Sequence, residues 1–403
     1  MDVVRVERHI IKQSNEYYNM LDDYCFKSKN LYNFANYNIR KEFFKSNNYI
    51  RYNDMDKLLK TNGMDFDYRN MPTAQSSQQC LRILDKNWKS FFKSIKDWSK
   101  NKNKYNGRPK IPKYIPKDGR NILVLTNMDC KIKDGFIKFP KAFNGFKLKT
   151  NVDNLQQVRI LPRNNHMVVE IVYKKHIKKM NCDNNKYVSI DIGIDNFATV
   201  TNNVNKVPII ISGRKIKSVN KFYNKQISHY KEIAKRINGI DFTNRMNRIT
   251  TKRNNIMNDL IHKASRKVVN YALSCEANTI IIGNNKNWKQ NSSMGKITNQ
   301  SFVEIPHSKF ISQIIYKAEE CGINVIVTEE PYTSGTSFLD EEMPIKTNYN
   351  KSRRVKRGMF ISNKGIKINS DVNGSLQIMK KVFPNAFSHG IEGYGFNPIR
   401  VNL

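Results

Sequence analysis

The sequence predicts a multi-domain chain whose second half is α/β, preceded by a helical region and a small antiparallel β domain. Three observations carry this. Between 187 and 328, short β-branched runs alternate with helical stretches, and TIIIG (279–283) and INVIVT (323–328) read as strands buried in a mixed sheet covered on both faces. From Ala74 to Ile95, Cys80, Leu81, Leu84, Trp88, Phe91, Phe92 and Ile95 recur at three and four residues, one apolar stripe of a helix. Residues 121–175 break into β-rich pieces (ILVLT, CKIKDGFIKF, FKLKT, VRILP, MVVEIVY) separated by Asp-Gly, Asn-Gly and Pro. A length of 403 residues allows two or three domains with cores of their own.

The chain carries 70 Lys and Arg against 34 Asp and Glu, a formal net charge of +36 spread along its whole length. Mixed protein surfaces usually hold a net charge of about 2–8, so a solvated Lys-rich face does not account for this excess. Nucleic acid is the expected partner. No apolar run approaches the roughly 18 residues of a membrane span, so no membrane is expected. The opening MDVVRVERHI is charged from its second residue and shows no signal peptide. Cys25, Cys80, Cys130, Cys182, Cys275 and Cys321 lie far apart with no C-x-x-C, which argues for free thiols in a reducing cytoplasm and against a cysteine zinc site.

In chain order, VVRVERHII (3–11) reads as a first strand, and helical signals run to about residue 100, broken at Asn62-Gly63 and Asn70–Pro72. From Lys89 to Lys117 there are ten basic residues and one acid, Asp97, with Trp98, Tyr105 and Tyr114 interleaved. Pro109, Pro112 and Pro116 make this an extended path. It suits single-stranded nucleic acid, or is a flexible basic linker. The β-rich pieces are expected to close with the first strand, as a barrel or a small sheet, and 176–186 to be a polar linker. Tyr187–Ile190 is a short strand with Asp191 at its end, VPIIIS (207–212) another, and 217–274 a long basic helical stretch. A helix follows Pro306, residues 331–366 look irregular and basic, and 366–383 gives a short strand and then a helix.

Four carboxylates stand where this α/β half would bring strand ends together: Asp191, Glu329, Glu330 and Asp371. Taken singly they read as a turn, a solvated acidic pair and a helix cap. Strand carboxyl ends share one edge of such a sheet, and acids gathered there suit hard divalent cations. Two such ions about 4 Å apart can bridge a phosphodiester, one activating water and the other stabilising the leaving oxygen.

The same residues resemble the TnpB (OrfB) family of bacterial insertion sequences, relatives of the type V CRISPR effectors. SIDIGIDNFATV (189–200), KIKSVNKFYNKQ (215–226), HKASRKVVNYA (262–272), TIIIG, PYTSGTS (331–337), INSDVNGSLQIMKK (368–381) and VFPNAF (382–387) are similar to its RuvC-like half. QSSQQCLRILDKNWKSFF (75–92) and GRPKIPKY (107–114) are similar to its first half. The resemblance implies a RuvC-like (RNase H-like) nuclease domain at 186–403, a helical recognition domain at 13–118 and a β-barrel wedge domain from 1–12 and 119–180. It implies an Mg²⁺-dependent, RNA-guided DNA endonuclease, located in the cytoplasm on the nucleoid. Its partners would be a guide RNA from the element's own end and double-stranded target DNA beside a short adjacent motif. Asp191 and Asp371 match the first and third acidic positions, which would hold two Mg²⁺ ions.

Two departures stand out. The family's second acid ends the strand matching TIIIG, where this chain has Gly283-Asn284-Asn285. Some relatives lose that Glu and become nuclease-inactive repressors; others move it to the next strand end, where Glu329 and Glu330 stand, and Glu330 is slightly preferred. The family's zinc-ribbon cysteines are absent, Ser337 standing where the first would be, so 331–366 is expected to keep its place without zinc. The rival expectations are a guided repressor without cleavage and a transposase acting without RNA.

Overall fold

The computed structural model describes residues 2–62, 66–177, 182–285, 304–356, 358–388, 390 and 396–403. They divide into two compact units, Asp2–His176 and Ile177–Leu403. The expected break at Gly63, and part of the expected linker at 176–186, lie outside the described residues.

The first unit opens with strand β1 (Asp2–Lys12), followed by helices α1 (Tyr18–Ser46), α2 (Tyr52–Asn62), α3 (Phe66–Arg69) and α4 (Ala74–Lys100). Helix α4 starts at a reciprocal cap: Ser76 N–H donates to Thr73 Oγ1 at 3.0 Å and Thr73 N–H to Ser76 Oγ at 3.3 Å. Its apolar stripe is buried from Cys80 to Trp88 and half-buried at Phe91 and Phe92, while Lys86, Lys89, Lys93 and Lys96 are exposed. Trp88 is fully buried between the rings of Phe43, Tyr49, Phe91 and Phe92, and its Nε1 donates to Asn36 Oδ1 at 3.0 Å.

The proline-rich basic stretch after α4 is extended, but it is not a free linker. Asn33 takes both backbone groups of Ile115, at 2.9 and 2.8 Å, and Asn36 and Arg40 both donate to Pro112 O. Lys29 donates to Lys117 O at 2.9 Å, so polar side chains of α1 fix the path that proline cannot pair for itself.

The β-rich pieces give β2 (Leu123–Thr126), β3 (Lys131–Lys133), β4 (Phe136–Lys138), β5 (Lys147–Lys149), β6 (Leu155–Arg163) and β7 (His166–His176). They form two antiparallel sheets, β1-β7-β6-β2 and β3-β4-β5, rather than one closed ring of hydrogen bonds among the described residues. Both contribute to a single core with the helices, Ile137, Phe143, Val158 and Ile171 included. Across β1, β7 and β6 the buried Glu170 carboxylate is held by Arg8 at 2.8 Å and Arg159 at 2.7 Å.

The second unit contains β8 (Tyr187–Ile192), β9 (Asn196–Asn202), β10 (Ile209–Ser212), α5 (Arg214–Asn238), α6 (Asn244–Ser274), β11 (Thr279–Gly283), α7 (His307–Glu320) and β12 (Asn324–Thr328). After these come β13 (Met359–Ile361), β14 (Lys367–Asn369), α8 (Ser370–Val382) and β15 (Ile399–Val401). One six-stranded sheet runs in the order β12-β11-β8-β9-β10-β15. Strands β8, β11 and β12 are mutually parallel, β9 is antiparallel to β8 and β10, and β15 is parallel to β10.

Four elements differ from what the sequence predicts. The helical stretch 217–274 is two helices, because Gly239 takes the left-handed conformation that ends α5 (φ 64°) and Thr243 caps α6 by accepting from Met246 N–H. Strand β12 is the sheet's edge and only partly covered, with Val327 44% exposed, whereas β11 is buried along its length. Strands β9 and β15 were not anticipated: FATVTN looks like the continuation of a turn, and β15 has three residues.

Alternation along β8 sets the two faces. Val188, Ile190 and Ile192 pack with α6 and α7, through Ile261, Ala264, Val268, Phe310 and Ile314. Tyr187 packs on the opposite face with Ile378 and Met379 of α8. Between α6 and α7 Lys317 is 4% exposed, and its amine donates to Ser265 Oγ at 2.6 Å and His262 O at 2.8 Å. Among the described residues no helix is long and apolar enough to cross a membrane.

Two outcomes follow. Trp88→Ala should lower unfolding free energy by about 3–5 kcal/mol in urea titrations; a loss under about 1 kcal/mol would contradict the packing described. Burial pulls the Lys317 pKa down to about 8, with Arg266 adding to it and Glu320 opposing. The unfolded chain therefore binds this proton more tightly, so stability rises with pH between about 8 and the ordinary value of 10.5 and carries the full penalty below 8. In Lys317→Met that rise should flatten; an unchanged slope would contradict it.

Candidate active site

On β8 the residues that face α8 are the odd-numbered ones. Ser189 Oγ donates to Ser375 O at 2.6 Å and pairs with Thr201 Oγ1 at 2.7 Å, which seats α8 against the strand. Two residues on, the same alternation turns Asp191 toward α8. The helix comes close because residue 374 is glycine: a Cβ there would lie 2.9 Å from Asp191 Oδ2. Asn369 starts α8, its side chain accepting from the N–H groups of Asp371 and Val372 at 3.0 and 3.2 Å. Asp371 is thereby placed in the first turn, beside the end of β8.

The second acid reaches the same place from β12. Thr328 pairs with Gly283 across the parallel β11–β12 ladder, so the residues after β12 emerge beside the end of β11. A Cβ on Gly283 would sit 2.2 Å from Glu330 Oε1. The Glu330 carboxylate thus fills the space that any side chain at 283 would take. Asn285 holds it there: Glu330 N–H donates to Asn285 Oδ1 at 2.9 Å, and Asn285 Nδ2 donates to Glu330 Oε2 at 3.1 Å. Glu329 is exposed and does not line this space.

Asp191, Glu330 and Asp371 line one cavity of about 780 Å³, together with Asn285, Arg354 and Arg400. Burial raises the Asp191 pKa well above the usual carboxylate range, and the charges of Glu330 and Asp371 push it further while Arg354 opposes. Burial also pushes Glu330 up to about 7, against the pull of Lys381. Asp371 accepts from Asn196 Nδ2 at 2.5 Å and from Arg354 at 3.4 Å.

A divalent cation suits this donor set chemically: three oxygen acids line one cavity, and burial with the charges of Glu330 and Asp371 disfavours the charged form of Asp191, a penalty that a cation would relieve. Thr199 and Ser370 also line the cavity, and their hydroxyl oxygens are buried and find no hydrogen-bond partner among the described residues. As the side chains stand, no group of three His, Cys, Asp or Glu among the described residues is already arranged to hold an ion.

Sequence reasoning named the acids but not their holders. Gly374 drew no reading, and Gly283 and Asn285 read only as part of a missing acid; the two glycines and the Asn are what let carboxylates approach. In the loop after β12, Ser337 N–H and Arg353 both bind Glu342 Oε2, at 2.9 and 2.6 Å, and Asn363 Nδ2 binds its Oε1 at 3.3 Å. A carboxylate hub organises this segment, and nothing in the spacing of its residues announced it.

Comparison with known proteins finds family models, a viral relative and solved structures that match the chain. The OrfB_IS605 family model (Probable transposase) matches residues 166–289, which contain Asp191 and Gly283, and the model Cas12f1-like, TNB domain matches 307–378, which contain Glu330 and Asp371. The TnpB-like protein ORF457 of Acidianus two-tailed virus is 25% identical over 215 residues, covering 52% of this chain and 44% of that protein. The chain thus matches less than half of that relative's length. A cryo-EM structure of a Cas12f1–sgRNA–target DNA complex is similar with a TM-score of 0.57 at 13% identity, covering 90% of this chain and 82% of that one. That likeness is one of fold, a multi-domain α/β arrangement. Both family models fall in order along the chain, the first over Asp191 and the second over Glu330 and Asp371, and with the viral relative they support a TnpB (OrfB) family member related to the type V CRISPR effectors.

Proposed function

We propose that this chain is an RNA-guided DNA endonuclease of a transposable element, with Asp191, Glu330 and Asp371 as its metal-holding carboxylates. The observation that carries the reading is the meeting of these three acids, from β8, the end of β12 and α8, in one cavity of a chain with net charge +36. The sheet supports it: three sequential antiparallel strands (β8, β9, β10), with β11 and then β12 added in parallel on the far side of β8, is the arrangement of a RuvC-like, RNase H-like domain.

Bound divalent ions would supply an activated water and neutralise charge at the leaving oxygen, giving hydrolysis without a covalent intermediate. The protein's part is positioning. Asp191 is fixed in the sheet, Glu330 is braced by Asn285, and Asp371 is held at a capped helix start with Asn196 and Arg354 as its resting partners. Arg354 and Arg400 on the cavity wall would draw a phosphate toward the acids.

The solved relative holds guide RNA and target DNA, and the same two partners suit this chain. Helices α5 and α6 alone carry fifteen Lys and Arg against Glu232 and Asp259. The helical segment 13–118 and the β-rich segments 1–12 and 119–180 would hold the guide as recognition and wedge domains, base pairing would read the target, and protein would read the adjacent motif.

The test is to sequence the RNA that copurifies with the chain and to offer that complex a matched DNA target with and without Mg²⁺. Asp191→Ala and Glu330→Ala should each cut the cleavage rate by about 10³-fold, the equivalent of several kcal/mol, while Glu329→Ala stays within a few-fold. Guided binding without Mg²⁺-dependent cutting, unchanged by replacing Glu329 and Glu330 together, would replace the reading with a guided repressor. Absence of any discrete RNA would overturn RNA guidance. Target affinity should also fall steeply as salt is raised from about 50 to 200 mM; a flat profile would contradict phosphate-dominated binding.

A further inference from the structure

Resting on the reading of Glu330 as a metal ligand, we propose that Asn285 is a positioning residue that makes the Glu330 site, by splinting this carboxylate onto the end of the neighbouring strand. Glu330 follows β12, the sheet's partly exposed edge, and sits outside the ladder that ends at Thr328. Nothing in strand geometry alone would keep its side chain turned inward over β11. An unrestrained glutamate has several rotamers, and fixing one costs free energy on each binding event.

Asn285 removes that freedom at both ends of the residue. Its Oδ1 accepts from the Glu330 backbone N–H and its Nδ2 donates to Oε2, so one planar amide fixes main chain and carboxylate together. The ladder supports the arrangement, since Asn284 N–H continues it by donating to Thr328 O at 2.8 Å. Gly283 leaves the space that Oε1 enters. Oε2 takes the Asn285 amide while Oε1 occupies the space over Gly283. The three features belong together: glycine vacates, asparagine splints, and glutamate arrives from the next strand. No acid is needed at 283 while all three are present, and the loss of Asn285 alone should undo the placement. Partners that orient metal ligands in this way are typically worth about 10–100-fold in metal affinity.

The experiment is a double-mutant cycle on the full-length chain, read by direct Mn²⁺ titration (electron paramagnetic resonance of the free ion) as well as by guided cleavage. Asn285→Ala should weaken Mn²⁺ binding about tenfold or more in the native background and change it by less than about twofold in the Glu330→Ala background, since a splint has no role without its carboxylate. Equal losses in both backgrounds would overturn the proposal, because they indicate a general structural role for Asn285. No loss in the native background would overturn it as well. If Glu330→Ala binds Mn²⁺ like the native chain while Asp191→Ala does not, the three-carboxylate reading fails and the splint with it. If Glu330→Ala weakens binding and Asn285→Ala does not, only the splint fails.

Discussion

Like charges drawn into one buried place govern the second unit. Asp191 lies where burial already disfavours its charged form, and Glu330 and Asp371 add to the penalty. A fold tolerates this only if each carboxylate is fixed well enough that relief comes from a ligand rather than from retreat into solvent. Much of the local architecture serves that end. The hydroxyl cluster of Ser189, Thr201 and Ser375 docks α8 on the sheet, Gly374 lets the helix pass over Asp191, and Asn369 caps the turn that carries Asp371. The cost is borne by the sheet, whose buried apolar face packs on α6 and α7.

The sequence made this unit legible to different depths. Helix stripes and the run TIIIG were plain because apolar periodicity records burial directly. Asp191 and Asp371 were legible through the motifs around them. The choice between Glu329 and Glu330 was not, because neighbouring residues past a strand end differ only in direction, and direction is set by a ladder the sequence does not display. Thr328 opposite Gly283 fixes it: Glu330 turns to the cavity and Glu329 to solvent.

Elsewhere the missing information was tertiary. Pro109, Pro112 and Pro116 announce an extended chain, but only Asn33, Asn36 and Arg40 on α1 say where it lies, and their partners are backbone groups some 70–80 residues away. Likewise the segment from 331 to 366 looks irregular because its order comes from one carboxylate, Glu342, bonded to Ser337, Arg353 and Asn363. A strand or helix period does not encode such a hub. Side-chain hydrogen bonds organise the described part of this loop.

In the proposed site the Glu330 carboxylate, seated in the space over Gly283, is the third acid. The most direct measurement is guided DNA cleavage by Gly283→Ala, with target binding measured on the same preparation. The added methyl would meet Glu330 Oε1 at 2.2 Å and must displace it. Mg²⁺-dependent cleavage should fall at least about tenfold, the effect of displacing an oriented ligand, while guided binding is unchanged. Cleavage at the native rate by Gly283→Ala would contradict it.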